Sequence, residues 1–173
     1  MSIIIRQANL DDAEQLIAHI TAIANEPGSQ ILLWPGELQL TIEDERKWIH
    51  ANLAAENSTL LVAESEGKIV GVLSCKGGEQ KGTRHTTTLG ISIHKEWRNQ
   101  RVGRALMERA IAWGKGTGVI KRIQLEVTAG NVPGIHLYEQ LGFEKEGLRR
   151  RGMFKYGEYL DTWMMALLVE LVD

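Results

Sequence analysis

The chain has 173 residues, 43% apolar and 24% charged, with 20 basic against 22 acidic side chains for a formal net charge of -2. That composition is average for folded globular chains and excludes a disordered or fibre-like polymer, and the near-neutral charge excludes broad attraction to nucleic acid or to an anionic membrane. The single cysteine excludes an internal disulfide, residues 1–6 are too short an apolar run for a secretory signal, and the longest apolar run, 163–169, is far short of a membrane span, so one cytoplasmic globular domain over 3–169 is expected.

Residues 3–6 are predicted as a short first strand. Asn9 and the acidic turn after it suit the free amides and positive dipole of a helix start, and that helix should run to about residue 24, where Glu26-Pro27-Gly28 stops it. Residues 29–40, with Pro35 and Gly36 beside Trp34, have no regular period and are expected to be loop. Thr41 and Asp44 resemble a capping box for a second helix to about residue 55, with Trp48, Ile49 and Leu53 as its apolar stripe. The β-branched runs 59–64 and 68–75, separated by Ser65-Glu66-Gly67, predict a hairpin. Cys75 closes an apolar run and reads as a buried structural thiol. After a polar connection over 77–84, a strand is expected over 86–93.

From there strand and helix alternate: helix 101–115, strand 120–127, helix 132–141, then two closing strands over 143–151 and 159–169. An antiparallel front half joined to a strand-helix-strand crossover gives an α/β (α+β) chain with a mixed, mainly antiparallel central sheet flanked by helices. Gly114-Lys115-Gly116-Thr117-Gly118 resembles a nucleotide loop, but it follows a helix and precedes a strand, the reverse of the order a phosphate loop needs. It is expected to terminate the helix. The five histidines, at 19, 50, 85, 94 and 136, show no metal-ligand spacing, and no metal is expected.

The most informative stretch is 91–106. A buried-looking strand runs into Gln100-Arg101-Val102-Gly103-Arg104-Ala105, a small-residue turn that opens a helix. The first amides of a helix have no intrahelical acceptor, so they present free N–H groups and the positive dipole end to an anion such as a pyrophosphate. Gly103 and Ala105 would let phosphate oxygens reach the backbone, with Arg98, Arg101 and Arg104 adding positive charge. Residues 122–143 then give a strand, a helix start led by Asn131, and a helix ending in Leu141-Gly142-Phe143.

With both regions present in this order, the chain resembles the GCN5-related N-acetyltransferase (GNAT) superfamily over about 3–168, closest in pattern to the branches that acetylate ribosomal-protein N-termini and free amino acids or other small amines. The resemblance implies the acyl-CoA N-acyltransferase fold, acetyl-CoA as co-substrate, and direct attack of an amine without an acyl-enzyme. It implies that the strand over 89–93 splays from the strand over 120–127, and that the backbone of Ile91, Ser92 and Ile93 binds the pantetheine arm there, one amide polarising the thioester carbonyl. Arg98, Gln100, Arg101, Val102, Gly103, Arg104 and Ala105 would hold the phosphates. Asn131 would cap its helix and touch the cofactor. Tyr138 matches the family's tyrosine near the sulfur, which can protonate the leaving thiolate; a core aromatic is the alternative.

The base is open. Some relatives carry a glutamate before the phosphate turn, where this chain has Thr86, Thr87 and Thr88. Glu126 faces opposite to Ile123, Leu125 and Val127 and resembles the base of the ribosomal-protein branch; a salt-bridged strand glutamate is the alternative, and Glu37 is a second candidate. Deprotonating an α-amine at neutral pH costs about 1 kcal/mol and a lysine-type amine roughly 4 to 5, so a modest base acting through water serves the former. Segments 25–40 and 149–161 are expected to wall the acceptor, with Trp34, Phe154, Glu37, Arg150 and Glu158 as candidate contacts; the three arginines 149–151 could grip an acceptor carboxylate, and an exposed basic turn is the alternative. A small amine is the expected partner. A protein N-terminus, a non-catalytic acyl-CoA-binding module, and a homodimer stay open.

Overall fold

In the computed structural model, which describes residues 2–169, seven strands form one sheet in the order β1-β2-β3-β4-β5-β7-β6. The strands are β1 (Ile4–Gln7), β2 (Thr59–Ser65), β3 (Lys68–Gly77), β4 (Thr86–Ile93), β5 (Arg122–Thr128), β6 (Glu144–Lys155) and β7 (Glu158–Leu168), and the helices are α1 (Ala13–Asn25), α2 (Ile42–Ala54), α3 (Val102–Gly116) and α4 (Val132–Gln140). Every pairing is antiparallel except β4 with β5. The mixed sheet flanked by helices is therefore as the alternation of elements implied. No described helix is long and apolar enough to cross a membrane.

The local signals act as their chemistry dictates. Asn9 and Asp12 form a capping box on a short 3-10 turn that leads into α1, and Thr41 and Asp44 form another at α2. The glycine-rich stretch 114–118 ends α3 at Gly116, with Gly118 in the left-handed region.

Strand alternation sorts the side chains into two cores. On one face, Leu73, Cys75, Leu89, Ile123 and Leu125 pack with Val102, Leu106, Met107 and Ala110 of α3 and Tyr138 of α4. On the other, Leu60, Val62 and Ile69 pack with Leu16 of α1 and Ile49 of α2.

The closing hairpin departs from the sequence reading. The strand expected to stop at residue 151 continues to Lys155, and the turn is only Tyr156-Gly157, both at positive φ as a two-residue hairpin turn requires. The apparent stop is a bulge: Arg151 has φ 55 and the register with β7 shifts between Arg149 and Met153.

Candidate active site

The site starts from an interrupted pairing. β4 and β5 are in register only over Thr86, Thr87 and Thr88 against Arg122, Ile123 and Gln124; beyond that they part, while β4 stays bonded to β3 as far as Ile93. This is the expected splay. The direction of the backbone groups along β4 follows from three bonds: Gly78 N donates to Thr86 O and His94 N donates to Val70 O on the β3 side, whereas Lys121 N donates to His85 O on the β5 side. Because strand backbone alternates, residues 86, 88, 90 and 92 turn their polar groups to β3, and 89, 91 and 93 turn theirs into the splay. Ile91 thus offers its amide to the gap. Ser92, expected to do the same, does not: its backbone belongs to the β3 ladder.

Next to the splay lies the start of α3. Asn99 and Arg101 both adopt left-handed conformations, with φ of 60 and 64, which fold the chain sharply between β4 and α3. Arg101 is the N-cap and makes no side-chain cap bond. Ala105 N donates to Arg101 O, so the intrahelical ladder begins at Ala105, and the orphan amides are those of Val102, Gly103 and Arg104. Ala105, read from sequence as a phosphate contact, spends its amide in the helix.

Gly103 fits an anion held at this spot. Its φ is not left-handed, and an added Cβ would meet only Leu137 Cδ2 at 3.7 Å and Ile93 Cγ1 at 3.9 Å, ordinary contacts. Neither conformation nor packing requires a glycine here, whereas close approach of a diphosphate does.

The arginines divide. The Arg98 guanidinium is not free beside the cradle: it grips Glu26 with bonds of 2.5 and 2.6 Å and donates from Nε to Ile93 O at 3.0 Å, tying the end of α1 to the end of β4. Ile93 therefore gives its carbonyl to Arg98. Arg104 bonds Gln140 and lies 3.5 Å from Glu108, and Gln100 donates to Glu96 O at 2.7 Å.

Across the splay, Asn131 caps α4 by accepting from Gly134 N at 3.1 Å. Tyr138 is 8% exposed, against Phe143 at 6.1 Å between ring centres. Burial pushes its phenol up to about 12, above the ordinary value near 10, so it stays a hydrogen-bond donor throughout neutral pH. Glu126 lies in the splayed half of β5 and faces away from α3. Its carboxylate accepts from Thr162 Oγ1 at 2.6 Å and from Arg149 Nη1 at 3.0 Å. Gly152 permits this: a Cβ there would stand 2.1 Å from Thr162 Oγ1.

On the α1 and α2 face, a cavity of about 410 Å³ opens over β3 and β4, roofed by Ile31, Leu33, Leu38 and Leu40 of segment 29–40. Lys155 holds this roof: 1% exposed, its ammonium donates to Ile31 O and, at 3.0 Å, to Leu33 O. Gln30 meets Thr128 from the same segment. Burial pushes the Lys155 ammonium down, partly countered by Glu37.

None of the five expected acceptor contacts, Trp34, Glu37, Arg150, Phe154 and Glu158, lines this cavity. Trp34 packs against Phe154 and Tyr156 of the hairpin, at 6.3 and 6.1 Å between ring centres, in tilted aromatic pairs. Glu37 closes its own turn by accepting from Trp34 N at 2.9 Å. Arg150 stands exposed on β6, and Glu158 is exposed at the hairpin end opposite Lys155.

The cavity holds residues that the sequence did not single out. His19 is 5% exposed, with Nε2 2.9 Å from Ser92 Oγ. Burial first, then the charges of His94 and Arg98, push its imidazole down to about 4, so it is neutral at physiological pH. Helical spacing on α1 puts His19 with Leu16 and Ile23, but only the register of β4 brings it to Ser92.

Comparison with known proteins bears on this geometry. The sequence profile described as the acetyltransferase (GNAT) family matches residues 29–143. An L-amino acid N-acetyltransferase of Escherichia coli, AaaT, is 28% identical over 95% of this chain and 96% of its own length. The crystal structure of a GNAT-family acetyltransferase from Streptococcus pneumoniae superposes with a TM-score of 0.93 at 30% identity, covering 98% of this chain and all of that one. The Salmonella typhimurium protein yncA, solved with acetyl-CoA, shares the fold at a TM-score of 0.86 and 20% identity, covering all of this chain and 97% of that one.

Proposed function

We propose that this chain, which belongs to the acetyltransferase (GNAT) family and is an acetyl-CoA-dependent N-acetyltransferase, acts on the primary amine of a small molecule of amino-acid type by direct attack. The observation that carries the proposal is the splay of β4 from β5, with the orphan amides of α3 at its end and a roofed cavity on the other face of β4. The relatives' activity on amino acids supports the class of acceptor.

Bound acetyl-CoA supplies an activated acetyl thioester. The amides of Val102, Gly103 and Arg104 hold its diphosphate, with Arg101 beside them, and Asn131 caps the helix opposite. The Ile91 amide donates to the thioester carbonyl and stabilises the charge that develops on it. Tyr138 donates to the departing thiolate; with its phenol near 12 it stabilises that anion mainly as a hydrogen-bond donor. Glu126 takes the amine proton through water, since Arg149 and Thr162 occupy its direct contacts. That modest arrangement suits an α-amine.

Two features favour this acceptor and route. A protein N-terminus needs an open groove, whereas segment 29–40 roofs the cavity and Lys155 pins it. An acyl-enzyme needs an accessible nucleophile, whereas the chain's single thiol, Cys75, is fully buried and pushed up to about 12. The test is thiol release from acetyl-CoA with a panel of amino acids, polyamines and N-terminal peptides, in wild type and Glu126→Gln. Release confined to peptides would overturn the small acceptor. An unchanged rate-pH profile in the variant would remove Glu126 from proton transfer.

A further inference from the structure

The cavity beneath segment 29–40 narrows the acceptor further, on three observations. The first is Gly90, which floors it in mid-strand. Its φ is not left-handed, and an added Cβ would meet a single atom, Ser74 Oγ, at 3.5 Å. A strand glycine with neither a conformational nor a packing reason marks a place where something else approaches the backbone. The absent side chain leaves room on the cavity side of β4, one residue from the Ile91 amide.

The second observation is the wall, where Leu16, Ile20, Leu38, Trp48 and Val72 present apolar surface. About 410 Å³ accommodates a large side chain, and apolar walls favour an uncharged one. The third is the sign of the polar groups. Among the described residues no lysine or arginine lines the cavity, and His19 is neutral. Its one acid is Glu45, in the first turn of α2, 7% exposed; its carboxylate has no hydrogen-bond or ion-pair partner among the described residues. Burial pushes its pKa upward, and a second carboxylate brought beside it would find no cation to offset the added charge.

We propose that this cavity receives the acceptor's side chain and selects a bulky uncharged one, branched aliphatic, thioether or aromatic, with Gly90 providing its space and Glu45 rejecting acidic side chains. The proposal rests on the acetyl-transfer reading of the site. An acceptor carboxylate finds no cation in the cavity, so the part of an amino acid that bears it stays outside.

The test uses amino-acid amides, which remove the α-carboxylate as a variable. Leucinamide, methioninamide and phenylalaninamide are compared with glycinamide and with glutamic acid α-amide by thiol release. Expected kcat/KM is about 100-fold higher for the bulky amides than for either of the others. Gly90→Val should cut the ratio of leucinamide to glycinamide about tenfold through KM, and Gly90→Ala, which introduces only the 3.5 Å contact, by a smaller factor in the same direction. Glu45→Gln should raise the ratio of glutamic acid α-amide to leucinamide about tenfold. Calorimetry with coenzyme A checks that each variant is folded.

No preference for the bulky amides, or ratios that neither glycine variant moves while coenzyme A still binds, would overturn the proposal. If no amine releases thiol although coenzyme A binds, acetyl transfer to small amines falls, and the cavity is then tested alone by titrating leucinamide into the protein saturated with coenzyme A. Binding that Gly90→Val weakens tenfold supports it, and no binding overturns it.

Discussion

The two faces of the sheet are built on different principles. The face carrying α3 and α4 makes its site from backbone: orphan amides, a bare strand edge, and a glycine whose value is what it lacks. The face carrying α1 and α2 makes its site from side chains contributed by two helices, an irregular segment and two strands. The first suits a ligand part that never changes, since backbone positions resist substitution. The second suits a variable partner, since side chains can be exchanged without disturbing the sheet.

Four experiments would break or sharpen that division, beginning with the largest effect. Gly103→Glu puts a carboxylate where the diphosphate should lie, and coenzyme A affinity should fall by about 1000-fold in calorimetry. A variant binding within tenfold of wild type would show that the α3 cradle is not the phosphate site.

On the other face, His19 makes stability depend on acid. Its imidazole is pushed from 6.5 down to about 4 in the fold, so between those values the unfolded chain takes up a proton that the native one refuses. Stability is therefore full above about pH 6.5, falls as pH drops, and levels off below about 4, with a total loss of about 3 kcal/mol. Denaturant melts across that range should show the slope, and His19→Asn should flatten it. An equal slope in the variant would assign the acid sensitivity elsewhere.

Tyr138→Phe removes a donor on the α4 side and should lower kcat about 100-fold while coenzyme A binds within a factor of about three. Equal losses in binding and turnover would make Tyr138 a packing residue. Lys155→Met removes the donor to two carbonyls of segment 29–40, Ile31 O and Leu33 O, and should cost about 2 kcal/mol in thermal unfolding, raising KM for the amine and leaving coenzyme A affinity alone. A fall in cofactor affinity would mean that the faces are coupled.

The same contrast governs what could be read from sequence. The orphan amides of α3 are contiguous, residues 102–104 at the mouth of a helix, so local rules of capping and helix polarity were enough to locate them. The splay came with the resemblance, and pairing confirms it. The cavity under segment 29–40 draws on residues from Leu16 to Ser92, and nothing in their spacing announces that they meet. Trp34 and Glu37 looked functional because they sit in an irregular segment, yet that segment folds with Trp34 on the hairpin and its leucines inward. Arg98 was misjudged for a similar reason: its partner Glu26 is 72 residues away. Strand alternation could have separated Ser92 from Ile91, given the side of β4 that faces β3.

The seam between β4 and β5 has one more consequence. Unpaired strand edges invite any extended peptide, including another copy of the same chain, and most sheets keep them at the periphery under charge or cover. Here two lie in the middle, flanked by apolar side chains. A coenzyme A arm lying in the seam, as proposed, would cover both edges: saturation should then slow amide exchange at Ile91 and delay aggregation on warming.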